Sequence, residues 1–230
     1  MSLHDFSRRI ENSSLSAFIE LLRDRCDAIT QVQGGDTYYI EELEIFKQVA
    51  RDQGYLLDKI PEPLNSPCHD SGNEHEVWFV EEHSLYLKAT WPDHFGMKVI
   101  HLPHEEPKAS PIHYLERWDL HNKILGDSVD FLGAIYTPQG LRMIISQPAI
   151  LGEPSTDEQI NAFFLQKGWD KIEINSDIAY YDKSEQVLVS DTHKGNIVLV
   201  DSGLLIPIDL RVQKLKPLTI DLVKSLLAQQ

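Results

Sequence analysis

The 230-residue sequence predicts an α+β fold, and three observations carry that expectation. Two segments before residue 54 place apolar residues at helical spacing. From residue 77 onward, strand-like runs come in pairs joined by short turns, the pattern of antiparallel hairpins. The third observation is the stretch 187–210, VLVSDTHKGNIVLVDSGLLIPIDL. There β-rich runs at 187–190, 197–201 and 204–210 are interrupted by polar residues at strand ends, where a rigid sheet can hold them beside a ligand.

In chain order, Leu15, Phe18, Ile19, Leu22 and Cys26 predict a helix over residues 14–29, with Ser13 or Ser14 placed to cap it. Gln33-Gly34-Gly35-Asp36 breaks it. Ile40, Leu43, Phe46 and Val49-Ala50 predict a second helix over residues 40–53, with Gly54 just past its end. Both read as a packing or interaction element. Pro61, Pro63 and Pro67 make residues 60–72 a linker or extended wrap. Strands follow at 77–81 and 85–90. In the second, alternation sets Tyr86 and Lys88 on one face and Leu85 and Leu87 on the other.

Residues 94–109 lack a period and read as a loop. Ser110-Pro111 opens a helix through Leu125, with Tyr114, Leu115, Trp118 and Leu125 on its apolar face and Gly126 beyond its end. Strands at 129–136 and 141–147 flank the turn Thr137-Pro138-Gln139-Gly140. Ser155-x-x-Glu158 is a capping box for a helix through about residue 167, and short strands are expected at 171–175 and 178–181.

Composition narrows the function. Acidic residues outnumber basic ones, 36 to 21, and the net charge is −15. That argues against a nucleic-acid partner, because phosphate-backbone binding needs a cationic surface to release counterions. Cys26 and Cys68 do not make a disulfide framework. The first residues contain no apolar signal-like core and no run reaches membrane-spanning length, so no membrane partner and a cytoplasmic location are expected.

Within 187–210, Asp191-x-His193-x-Gly195-Asn196 precedes a hydrophobic hairpin that ends in Ile208-Asp209. This arrangement resembles the catalytic core of the protein-kinase-like superfamily. It is similar to the aminoglycoside-phosphotransferase-like branch and to the small kinase-like domains of phage and mobile-element polyvalent proteins. The chain departs where Val189 and Ser190 replace the His-Gly or His-Arg of relatives.

The resemblance implies a small bilobal fold, with an antiparallel N-lobe sheet plus helix over residues 61–148 and a reduced C-lobe over 149–230, behind an N-terminal helical element at 1–60. It implies ATP and Mg²⁺ as nucleotide and metal. Asn196 and Asp209 would bind the metal, Asp191 would act on the acceptor hydroxyl, and His193 would organise the loop. Lys88 would meet the nucleotide phosphates, paired with Glu116 from the helix at 110–125. Gln147 and Ala149 fall where backbone groups of a hinge would read the adenine edge.

Three readings follow. One is a phosphotransferase acting on an unknown protein or small-molecule acceptor. Another is a catalytically degenerate binding module, favoured by the single Gly72 where a glycine-rich loop would fall and by the short segment after Asp209. The third is a metal-dependent hydrolase built on His101-x-x-His104 and Glu105-Glu106.

Overall fold

Thirteen strands in three sheets and five α-helices make up the described residues of the computed structural model, which are 15–33, 39–174 and 176–229. The chain divides into two compact units. The first takes the chain up to Gly96, then Ala109–Asp119 and Ser128–Ala149. The second takes Met97–Lys108, Leu120–Asp127 and the chain from Ile150 onward.

The first unit contains α1 (Leu15–Gln33), α2 (Tyr39–Asp52), β1 (Leu56–Leu57), β2 (Asp70–Ser71), β3 (His75–Val80), β4 (Leu85–Thr90), the body of α3 (Pro111–Leu120), β5 (Asp130–Thr137) and β6 (Gly140–Pro148). Its six-stranded sheet has the order β1-β5-β6-β4-β3-β2 and is antiparallel except for the short β1–β5 pair. Alternation along the strands makes two apolar faces. Phe131, Met143 and Ile145 meet Phe18, Ile19, Leu22, Phe46 and Val49 of the N-terminal helices and Tyr114, Leu115 and Trp118 of α3. Leu132, Ile135 and Ile144 meet Trp78, Leu87 and Ala89 on the opposite face.

The N-terminal helices are therefore packing elements of this sheet. The expected serine caps and the glycine break after α1 fall outside the described residues. The proline-rich segment is an extended wrap, with a 3₁₀ turn at Glu62–Asn65, the Ser66 carbonyl accepting from Trp78 Nε1 at 2.8 Å, and β2 added as an edge strand. Gly133 is required in β5: its φ is +143°, and a Cβ there would lie 2.5 Å from the Tyr55 carbonyl oxygen.

In the second unit, α3 gives way to a π-helical turn at His121–Leu125, closed by Gly126 in the left-handed region. There follow β7 (Glu153–Pro154), α4 (Asp157–Gln166), β8 (Asp170–Ile174), β9 (Asp177–Asp182), β10 (Val187–Ser190), β11 (Ile197–Leu199), β12 (Leu205–Pro207), β13 (Arg211–Lys214) and α5 (Pro217–Leu227). A four-stranded antiparallel sheet runs β13-β10-β9-β8 and a three-stranded one β12-β11-β7. On one face of the larger sheet, Tyr180, Val187, Val189 and Val212 pack with Ile160 and Phe164 of α4. On the other, Ile172, Ala179 and Leu188 pack with Ile100 and with Ile220 and Val223 of α5.

Two sequence expectations are corrected here. The α4 capping box is Thr156 with Gln159, not Ser155 with Glu158: Thr156 Oγ1 accepts from the Gln159 N–H at 3.3 Å, and Gln159 Oε1 accepts from the Thr156 N–H at 2.8 Å. Ser155 is drawn inward instead, its N–H bonded to the Ile197 carbonyl. The run expected at 204–210 is not one strand: β12 stops at Pro207, and residues 208–210 cross to β13 in the other sheet. Among the described residues no helix is long and apolar enough to cross a membrane.

Candidate functional site

The loop between β10 and β11 is closed at its base by two ladders. Ser190 pairs with Arg211, and Ile197 pairs with Pro207, a ladder that the Ile208 N–H extends to the Asn196 carbonyl at 2.9 Å. Asp191 and Asn196, at the two ends of the loop, are thus set against the crossing segment that carries Asp209. Inside the loop the Asn196 N–H donates to the His193 carbonyl (2.9 Å), the Gly195 N–H to His193 Nδ1 (3.1 Å), and Asn196 Nδ2 to the Asp191 carbonyl (3.0 Å). Asp191 itself is left-handed, at φ +63°, which Asp tolerates better than most residues. Its carboxylate lies 3.6 Å from His193 Nε2 and 3.6 Å from Arg211 Nε. His193 is bound into the loop and exposed.

The donor set fits a hard divalent cation. With Asn196 Nδ2 committed to a carbonyl, Oδ1 is the atom that side chain offers, and a neutral amide oxygen beside an aspartate is oxygen-donor chemistry of the kind Mg²⁺ takes. No group of three or more His, Cys, Asp or Glu that could hold a metal occurs among the described residues, so His101 and His104 form no zinc centre there. His101 Nδ1 is instead bonded to the Leu102 carbonyl at 3.0 Å.

In the first unit, Lys88 sits in mid-sheet, paired with Val77 on one side and Ile145 on the other, and only 7% exposed. It faces the helix-covered side of the sheet, its Nζ 5.4 Å from the Trp118 ring centroid. Glu116 lies elsewhere on α3: its ion-pair partner is Arg23 of α1, at 2.8 Å on the partly exposed surface. The charged residue that α3 buries is Arg117. Its Nη1 donates to both oxygens of Glu74 (2.7 and 2.8 Å), and its guanidinium also stacks on Trp118, 4.7 Å from the centroid.

Gln147 is buried at the end of β6 opposite Tyr86. The Ala149 N–H donates to the Ser84 carbonyl at 2.9 Å, so its carbonyl is the backbone group it could present to a nucleotide.

Sequence reasoning passed over Arg117, Glu74 and His121. The signal for two of them was present, since Arg117 and His121 stand three and seven residues after Tyr114, on the stripe that faces inward.

A family model described as a serine/threonine/tyrosine kinase found in polyvalent proteins matches residues 40–216, and the chain belongs to that family. Neither the curated proteins nor the solved structures contain a match. The fold is accordingly an α+β kinase-like one. Helix α1, which supplies Arg23 to Glu116, lies outside the matched span.

Proposed function

We propose that this kinase-like protein is a phosphotransferase that uses ATP with Mg²⁺ and delivers phosphate to a hydroxyl-bearing acceptor. The observation that supports it best is the double ladder that sets Asp191, Asn196 and the Asp209 segment against one another. Asp209 and Asn196 would hold the metal, which supplies charge neutralisation for the phosphates. Asp191 would orient the acceptor hydroxyl and take its proton on a carboxylate oxygen. The Lys88 ammonium would bind phosphate oxygens, while His193 keeps the loop in shape. Gln147 and Ala149 would border the base. The test is thermal unfolding with ATP and Mg²⁺, followed by ATP turnover. Wild type should be stabilised by the nucleotide, and Asp209→Ala and Lys88→Ala should lose most of that stabilisation. The same melting temperature with and without nucleotide in all three proteins would refute the reading.

A second reading, a kinase-like binding module without turnover, is favoured by one observation. Glu116 is engaged with Arg23, and the inward charged position of α3 carries Arg117. Nucleotide binding without ATP turnover, unchanged in Asp191→Asn, would select it.

A further inference from the structure

The segment Met97–Lys108 is clamped onto the larger sheet of the second unit. Gln213 Oε1 accepts from the N–H groups of both Val99 and Ile100 (2.7 and 3.0 Å), and its Nε2 donates to the Ile100 carbonyl (2.9 Å). Met97 bridges Lys108, and the Lys98 N–H donates to the Pro107 carbonyl. Lys98 and His101 flank the clamped pair and wall a cavity of about 150 Å³. Its floor is the end of the sheet nearest the Asp191 loop, where Arg211 and Ser190 lie side by side.

The chemistry of this cavity is that of an anion site. Lys98, His101 and Arg211 all line it, and because His101 Nδ1 is bonded to the Leu102 carbonyl, Nε2 is the ring nitrogen left for a ligand. The carboxylates nearby are Asp191, in ion-pair range of Arg211, Asp177 on the exposed rim, and Glu105, which lies within the electrostatic reach of Lys98, Lys216 and His104. Arg211 Nε is buried and has no hydrogen-bond partner among the described residues. Asp191 Oδ2, at 3.6 Å, is in ion-pair range but too far for a hydrogen bond. Nε itself is closed to solvent, so the guanidinium's Nη groups, on a side chain 32% exposed, are the donors that an oxyanion can reach.

We propose that this cavity is an oxyanion subsite, taking a phosphate or carboxylate group carried by the acceptor, which is then a small anionic molecule. An oxyanion on Arg211 brings the rest of that molecule beside Asp191. Assigning the ligand as acceptor rests on the phosphotransferase reading; the anion site itself does not.

The experiment is calorimetric titration of the full chain, without nucleotide, by inorganic phosphate, glycerol 3-phosphate, acetate and glycerol. Both phosphates should bind and glycerol should not. Acetate competing with phosphate would show that a carboxylate is also accepted, and its failure to compete would narrow the ligand to phosphate. Lys98→Met and Arg211→Met should each weaken phosphate binding by about tenfold, the scale of a charge-assisted hydrogen bond lost, whereas Lys47→Met, over the Tyr136 ring in the first unit, should leave it unchanged. No saturable phosphate binding to wild type overturns the proposal, as does binding kept at full strength in both Lys98→Met and Arg211→Met. Nucleotide-induced stabilisation of the same preparations separates the two readings. Anion binding without a nucleotide response removes only the acceptor role, and a nucleotide response without anion binding removes the subsite.

Discussion

His121 Nε2 accepts a hydrogen bond from the Leu210 N–H at 3.4 Å, while the opposite ring nitrogen lies 3.0 Å from Asp127 Oδ2. The Leu210 donor fixes Nε2 as the acceptor, so Nδ1 carries the proton and faces Asp127 at ion-pair distance. The ring is fully buried, and through it the π-helical turn holds the residue next to Asp209. His121→Phe removes the acceptor for Leu210 and the nitrogen that faces Asp127, both out of water. The expected loss is about 3 kcal/mol in urea unfolding. Asp127→Asn removes the charge that faces Nδ1 and should cost roughly 1 kcal/mol. Little or no loss in His121→Phe would show that the ring acts by volume alone.

Arg117 and Glu74 should behave as a buried pair, with side chains 8% and 14% exposed. Arg117→Met leaves the Glu74 carboxylate without its bidentate partner and should cost about 3 kcal/mol. Adding Glu74→Gln to that variant should recover a large part of the loss, which a double-mutant cycle measures. Gly96→Ala tests the same carboxylate from another side. Its Cβ would fall 2.5 Å from Glu74 Oε2 at a φ of +81°, so the substitution should destabilise, and less so when it is combined with Glu74→Ala, which removes the clashing atoms.

Much of this was legible from local pattern. The strands around Lys88 were readable because alternation has a period of two, and alternation also separated Lys88 from Leu87 correctly. It could not say that the Lys88 face is the one α3 covers, because that depends on chain more than twenty residues away. The Asp191–Asn196 loop was legible for the same local reason: its internal bonds join residues at most five apart. Strand β13 was not. Arg211-Val212-Gln213-Lys214 has a single apolar residue, and its polar members work as a clamp and a cavity wall rather than as a hydrophobic face. The pairing of Glu74 with Arg117 spans 43 positions and leaves no spacing to read.

The misread helix cap gives a sharp contrast. Two overlapping boxes, Ser155-x-x-Glu158 and Thr156-x-x-Gln159, satisfy the same rule, and the structure uses the second. Thr156→Ala should therefore cost about 1 kcal/mol. Ser155→Ala should be neutral or slightly stabilising, because the Ser155 hydroxyl is buried without a hydrogen-bond partner among the described residues. Chemical denaturation of the two variants side by side decides it, and a larger loss in Ser155→Ala would put the cap back where the sequence suggested.

Cys26 supplies a pH dependence with a definite sign. Burial first, then the carboxylates of Glu42, Asp27 and Glu116, pushes its thiol up to about 11. The folded chain therefore holds this proton more tightly than the unfolded one. Its contribution to stability is complete below the ordinary thiol range, near pH 8.5, and is lost as pH rises through that range toward 11. The thiolate is the reactive form, so in Cys68→Ser the alkylation of folded protein should stay slow at pH 8 and climb with a midpoint near 11. In guanidinium the midpoint should return to about 8.5. Adding Asp27→Asn should lower the folded midpoint only slightly, because burial outranks each of the carboxylates as its cause. A midpoint that falls all the way to the ordinary value in Asp27→Asn would mean that charge, not burial, protects this thiol.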